Sequence, residues 1–224
     1  MTVRDFALLT AICMVWGLNI IISRWVFTSS DVEPLFYAGM RFALIALVLT
    51  PLFFRDRPKE LLMVFLISLC MGSGHFGLLF VGLANATASS AAVVGQLGVP
   101  FSTILSMVFL SERIGWRRGI GITMAFLGAV VISVDPGSFT LSTGLLFVIA
   151  SAFIGSCGAI LMKRITPISG VRLQAWVGLF SFMPLLLVSA VLEGEGSFGL
   201  GDQFTAFLDA GLWVWVATAF AVIA

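Results

Sequence analysis

The sequence predicts an all-α polytopic membrane protein, and three observations carry that prediction. The chain of 224 residues is 60% hydrophobic and 10% charged, against about 45–50% and about 25% in soluble domains. Its apolar residues run in long continuous stretches, without the two-residue alternation of a membrane β-barrel. Nine of its 12 Lys and Arg residues fall in every second gap between those stretches. A soluble fold of this size has no way to bury so much apolar surface, because small globules leave much of their surface in water.

Eight stretches are long enough to cross a bilayer: about 5–27, 34–54, 61–83, 87–110, 117–134, 141–162, 171–192 and 206–224. A helix rises about 1.5 Å per residue, so about 20 residues traverse a hydrocarbon core about 30 Å thick. Span 1 is longer than the roughly 7–15 apolar residues of a secretion signal and is followed by further spans, so it reads as a retained helix. Span 3 carries Gly72-Ser73-Gly74-His75-Phe76-Gly77, whose glycines allow close helix contact. Span 4 carries Gln96 between Gly95 and Gly98, with Pro100 four residues on; the proline removes a backbone donor and frees a carbonyl. Gly115, Gly119 and Gly121, like Gly155 and Gly158, read as close-packing positions. Cys13, Cys70 and Cys157 lie inside apolar spans at unrelated spacings, as small packing residues rather than disulfide or metal partners. Span 8 runs to Ala224 with no polar stop, so the chain is expected to be a fragment of a longer protein.

The loop charges set sidedness. Arg4 precedes span 1, Arg55, Arg57 and Lys59 follow span 2, Arg113, Arg117 and Arg118 follow span 4, and Lys163 and Arg164 follow span 6. The gaps at 28–33, 84–86, 135–140 and 193–205 hold no Lys or Arg but contain Asp31, Glu33, Asp135, Glu193, Glu195 and Asp202. Basic loops stay in the cytoplasm, which places the N-terminus inside.

An internal repeat is visible against that topology. Residues 5–25 align with 144–164 at a constant offset, pairing Ala11 with Ala150 and Arg24 with Lys163. Arg41 then pairs with Gln174 and Pro51 with Pro184. Span 1 starts inside and span 6 outside, so the units are inverted, and an odd number of spans per unit is required. Inverted repeats are a recurrent construction of secondary transporters, whose halves exchange roles to open one site to each side in turn.

Polar groups within a bilayer are costly unless a partner or a water-filled cavity receives them. Asn19 and His75 each lie fourteen residues into spans that start inside, about 21 Å from the cytoplasmic face. Arg41 and Gln96 lie seven and nine residues into spans that start outside, about 11–14 Å from the outer face. All four therefore share one layer slightly outside the midplane. Arg41 cannot shed its charge, and no Asp or Glu lies in the apolar interior to neutralise it, so a substrate carboxylate is a natural counter-ion. Adjacent carbonyls or water are the alternative. Trp16, one turn before Asn19, offers a stacking face, whereas Trp25, Trp116, Trp176, Trp213 and Trp215 suit interfacial belts. Arg24 and Arg172 suit snorkelling to the outer and inner interfaces.

Enzymatic and cofactor chemistry finds no support. There is one His, no HExxH, no nucleophile elbow and no phosphate-cradling glycine loop followed by Lys. A net charge of +1 gives no sign of nucleic-acid binding. The expected partners are a small-molecule metabolite and the lipid bilayer, with no cofactor and no metal. A multi-helix receptor or sensor is the rival reading, and it needs no internal symmetry; a channel would want carboxylate rings or a carbonyl filter.

Trp16-Gly17-Leu18-Asn19, the segment around Arg41-Phe42, Leu110-Ser111-Glu112-Arg113 and the run from Gly119 through Gly128 resemble the EamA family of the drug/metabolite transporter superfamily. The resemblance implies a ten-helix fold of two inverted five-helix units in the bacterial inner membrane, exporting amino acids or related metabolites. It divides this chain into a first unit at 1–134 and an incomplete second unit at 141–224, lacking spans 9 and 10. Trp16, Asn19, Arg41, His75 and Gln96 are the expected substrate-binding residues.

Overall fold

The computed structural model describes residues 2–53, 58–133, 142–194 and 200–223, and every regular element among them is helical. The loop residues Arg55, Arg57, Asp135 and Glu195 lie outside the described residues. Span 1 is α1 (Val3–Ser29), opened by a capping box. The Thr2 hydroxyl accepts from the Asp5 amide at 3.2 Å, and the Asp5 carboxylate accepts from the Thr2 amide at 2.9 Å, satisfying two of the orphan donors at a helix start.

Span 2 is α2 (Pro34–Val48), with proline where its missing N–H costs nothing. Its own N-cap, Glu33, makes no side-chain cap. The cap comes instead from the far end of span 7, where the Glu193 carboxylate accepts from the Leu35 amide at 2.8 Å and the Phe36 amide at 3.1 Å. Negative charge at a helix N-terminus complements the dipole, so spans 2 and 7 are tied at one end.

Two spans are irregular. Span 3 runs from α3 (Leu61–Ile67) through a π-helical segment, Ser68–Gly74, into α4 (His75–Ala84). Span 4 is split into α5 (Ala88–Gly95) and α6 (Gly98–Leu110). Span 5 is α7 (Trp116–Ser133), span 6 is α8 (Thr143–Met162) and span 7 is α9 (Gly170–Leu192). Among the described residues, five stretches are long and apolar enough to cross a membrane: Val3–Ser29, Leu61–Ala84, Ala88–Leu110, Thr143–Met162 and Gly170–Leu192; Pro34–Val48 is a shorter apolar helix. The protein is a multi-pass membrane protein.

Span 8 departs from the predicted continuous helix over 206–224. The chain forms α10 (Leu200–Asp209) and then α11 (Leu212–Ile223), with Gly211 between them at φ 85. Glycine takes positive φ at no steric cost, so an apolar run hides a sharp turn that composition alone does not register.

Spans 2 and 7 pack along their lengths, span 3 lies against span 6, and α1 meets α4 and α11. Tyr37, Phe42, Phe80 and Phe207 are fully buried at the centre, whereas Met14, Trp16, Leu62 and Val131 face outward, as lipid permits. One end of the bundle gathers Ser30, Asp31, Glu33, Asn85 and Glu193 around a cavity of about 540 Å³. The loops after spans 2 and 6 meet at the opposite end, where Lys59, Glu60, Thr166 and Arg172 line another. Alternate loops thus assemble at opposite ends, as their charges predict.

Small residues set how closely the spans approach. A methyl group added at Gly144 would lie 2.6 Å from the Asn85 backbone, and one at Gly158 would lie 2.3 Å from the Met71 side chain. Gly155 similarly abuts the His75 ring. Gly115, Gly119 and Gly121 differ from the packing role predicted for them: nothing lies within 4 Å of an added Cβ at any of the three. Gly144→Ala is accordingly expected to destabilise by about 1–3 kcal/mol through overpacking, whereas Gly121→Ala should stabilise by up to about 1 kcal/mol through helix propensity. Unfolding curves of the two variants in detergent check the opposite signs.

Candidate functional site

Arg41 lies on the face of α2 turned into the bundle and is 8% exposed. Its Nη1 donates to the Asn19 side-chain oxygen at 3.2 Å, and its guanidinium sits 5.0 Å from the centroid of the Phe76 ring. The ring face is negative, so this placement is attractive and strengthens with burial. Nε has no hydrogen-bond partner among the described residues, and the ion pair found among them, Lys163–Glu112, lies elsewhere. The cation is thus held by one amide oxygen and one aromatic face, with donor capacity left over.

His75 begins α4 directly after the π-helical segment, and its own amide reaches the Cys70 and Gly72 carbonyls. Such segments free local backbone bonding and recur at functional sites. Its Nδ1 lies 3.0 Å from the Ser151 carbonyl and 2.8 Å from the Ser151 hydroxyl. That hydroxyl donates to the His75 carbonyl at 2.8 Å. A carbonyl only accepts, so a hydrogen resides on Nδ1, and in the neutral form of the ring Nε2 is an acceptor. Ser151 is 1% exposed and went unnoticed among many serines in apolar helices. Its signal is positional, since Gly144, Ser151, Gly155 and Gly158 follow one stripe of α8.

The predicted residues divide. Asn19 and Arg41 meet directly, and Phe76 joins them to the neighbourhood of His75. Gln96 is exposed at the break in span 4, and Trp16 is 68% exposed on α1; neither joins the Arg41 cluster. Arg24 turns inward from its predicted snorkelling position: its Nη1 donates to the Leu83 carbonyl at 2.9 Å and to that of Ala84. It thereby caps the C-terminus of α4, where a cation complements the dipole.

Comparison with known proteins bears directly on this arrangement. The EamA-like transporter family matches residues 6–134. The chain belongs to that family. A probable amino-acid metabolite efflux pump of Salmonella typhimurium is 32% identical over 202 residues, which is 87% of this chain and 66% of that protein. The Escherichia coli protein of the same description is 29% identical, covering 88% of this chain and 67% of its own length. A probable terminal-alkyne amino-acid exporter of Streptantibioticus cattleyicolor is 29% identical over 59% of this chain and 46% of its own. The chain thus spans about two thirds of the length of the first two relatives. A solved crystal structure shares the fold, with a TM-score of 0.51 at 19% identity over 92% of this chain and 76% of that one.

Two consequences follow from the geometry. Asn19→Ala leaves part of a buried guanidinium without its acceptor and should cost about 1–3 kcal/mol, measured by detergent unfolding. Ser151→Ala removes the hydroxyl that accepts from Nδ1 but keeps the backbone carbonyl of residue 151. The His75 ring should therefore keep its Nδ1–H tautomer, seen as two distinct ¹⁵N shifts for the ring nitrogens; averaged shifts would show that the hydroxyl, not the carbonyl, sets the tautomer.

Proposed function

We propose that the protein is a secondary transporter that exports small metabolites, amino acids or related carboxylates, by alternating access across the bacterial inner membrane. Membership of a transporter family and relatives described as amino-acid efflux pumps support the class. The observation that carries the site is Arg41, a buried cation with unused donors and no carboxylate partner among the described residues. A substrate carboxylate accepts from a guanidinium in two places at once and supplies the missing counter-charge. The Asn19 oxygen, which accepts from Arg41 Nη1, would share the guanidinium donors with the carboxylate, and the Asn19 amide N–H would donate to it. The Nε2 acceptor of His75 suits a substrate ammonium or a coupling proton, and the Phe76 face backs the charge. Trp16 and Gln96 stand outside this cluster and would join it only in another conformation.

The inverted arrangement is part of the same reading, with 1–134 and 141–224 as its two units. Packing of span 2 on span 7, the equivalent members of each unit, supports it. So does the correspondence between span 3 on span 6 and span 8 on span 1, which a two-fold axis in the membrane plane would relate. A receptor or sensor has no need of such pairing. The basic residues on alternate loops support an N-terminus in the cytoplasm.

Efflux from membrane vesicles loaded with a panel of amino acids tests the proposal. Arg41→Gln removes hydrogen bonds to a charged group worth about 1.5–3 kcal/mol, so export of carboxylate substrates should fall about 10- to 100-fold while amide analogues change little. Equal export by wild type and Arg41→Gln would remove Arg41 from the site.

A further inference from the structure

Span 4 consists of two helices joined by a weak point. Between α5 and α6 the backbone closes only short-range bonds: Gln96 N–H to Val93 O at 3.1 Å, Leu97 N–H to Val94 O at 3.0 Å and Val99 N–H to Gln96 O at 3.1 Å. Pro100 has no N–H with which to continue the ladder to Gln96, and Gly95 and Gly98 flank the joint. The joint is pinned from one side, where the Ser156 hydroxyl on α8 donates to the Gly98 carbonyl at 2.9 Å.

The far end of α6 is tied to the same helix by charge. Ser111 adopts a left-handed conformation, φ 55 and ψ 26, which turns the chain back so that Glu112 reaches the buried Ser106. The Ser106 hydroxyl donates to Glu112 Oε2 at 2.7 Å. Lys163 Nζ lies 3.1 Å from Ser106 Oγ and 3.4 Å from Glu112 Oε1. Arg164 adds a bond from Nη2 to the Phe109 carbonyl at 2.7 Å. The Ser106 hydroxyl and the Lys163 ammonium hold the Glu112 carboxyl below its ordinary range. α8 is the principal neighbour of α6, and Phe101 packs edge-on against Phe153 of α8 and Phe126 of α7 close to the joint, so this helix has a packed pivot at one end and a polar latch at the other.

We propose that α6 is a gate at the basic, cytoplasmic end of the bundle, pivoting at Gln96–Leu97 and held shut by the Ser106–Glu112–Lys163 latch. The inference rests on the alternating-access reading and names the moving part. Release of the latch lets α6 swing from α8, opening a path from the cytoplasmic face, while the Ser156–Gly98 bond keeps the pivot in register. An ion pair half exposed to water is weak enough to break in every transport cycle, which a buried pair would resist.

The test places spin labels at Val108 on α6 and Met162 on α8, both lipid-facing and exposed, with Cys13, Cys70 and Cys157 replaced by Ala. Distances are read by double electron–electron resonance on the full chain in nanodiscs. A short distance should dominate in the wild type. Glu112→Gln and Lys163→Met should each raise the long-to-short ratio about two- to five-fold, and the swapped pair Glu112→Lys with Lys163→Glu should bring it back. Either single variant breaks the pair, so one folded variant suffices. Unchanged distances in a folded single variant, or a swap as open as the singles, overturn the gate. Efflux on the same preparations separates the two ideas. Latch-broken variants that open although wild type moves no substrate overturn the transporter reading and leave the hinge standing. Efflux with unresponsive distances overturns the gate alone.

Discussion

The close approach of α8 to spans 3 and 4 is the contact on which the rest of this bundle depends. Lipid tails are as apolar as leucine, so helices in a membrane associate through tight packing and hydrogen bonds. Gly144, Ser151, Gly155 and Gly158 leave α8 nearly bare along one stripe, onto which span 3 settles, while span 4 packs beside it at Val148 and Ser156. The irregularity and the bare stripe require each other. A π-helical segment and a broken helix free backbone and side-chain groups that water would otherwise have to satisfy. Ser151 and Ser156 on α8 supply bonds to His75 and Gly98 where those helices deviate.

The same principle of satisfaction recurs at helix ends. Glu193 caps α2 from another span, Arg24 caps α4, and Arg164 caps α6. Each uses a charge of the sign that the helix dipole favours, and each joins elements distant in sequence. The loop charges therefore do two jobs. They mark alternate loops that assemble at opposite ends, and at specific positions they fasten one span to another. Arg41 is the exception, being buried with an amide and an aromatic ring for company, and its unused donors are what the proposed site rests on.

Much of this was legible in the residues. Apolar run length located the apolar helices, five stretches of which among the described residues are long enough to cross a membrane, and the basic and the acidic loops gather at opposite ends. The expense of an intramembrane cation singled out Arg41, and depth counting brought Asn19 to its level. Ser151 was not legible, because a serine that bonds across helices and one that bonds its own backbone look alike in sequence. Gln96 counts to the depth of Arg41 but does not share its neighbourhood, and Trp16, one turn from Asn19, faces outward, since depth fixes one coordinate and leaves rotation about the helix axis open. Gly119 and Gly121 carried the same small-residue signal as Gly155 and Gly158 yet meet nothing.

By itself, then, the sequence determined the solvent of each segment: which residues sit in hydrocarbon, which sit at an interface, and which pairs of loops share a side. These are sums over single residues against a layered medium, and they need no knowledge of neighbours. The tertiary structure alone decided which faces meet, where helices break, and that the last apolar run turns at Gly211. The physical reason is that lipid and protein interior are equally apolar, so a membrane helix carries no amphipathic stripe to announce its inner face. Shape and a few polar contacts choose that face, and they exist only once the neighbouring helix is in place.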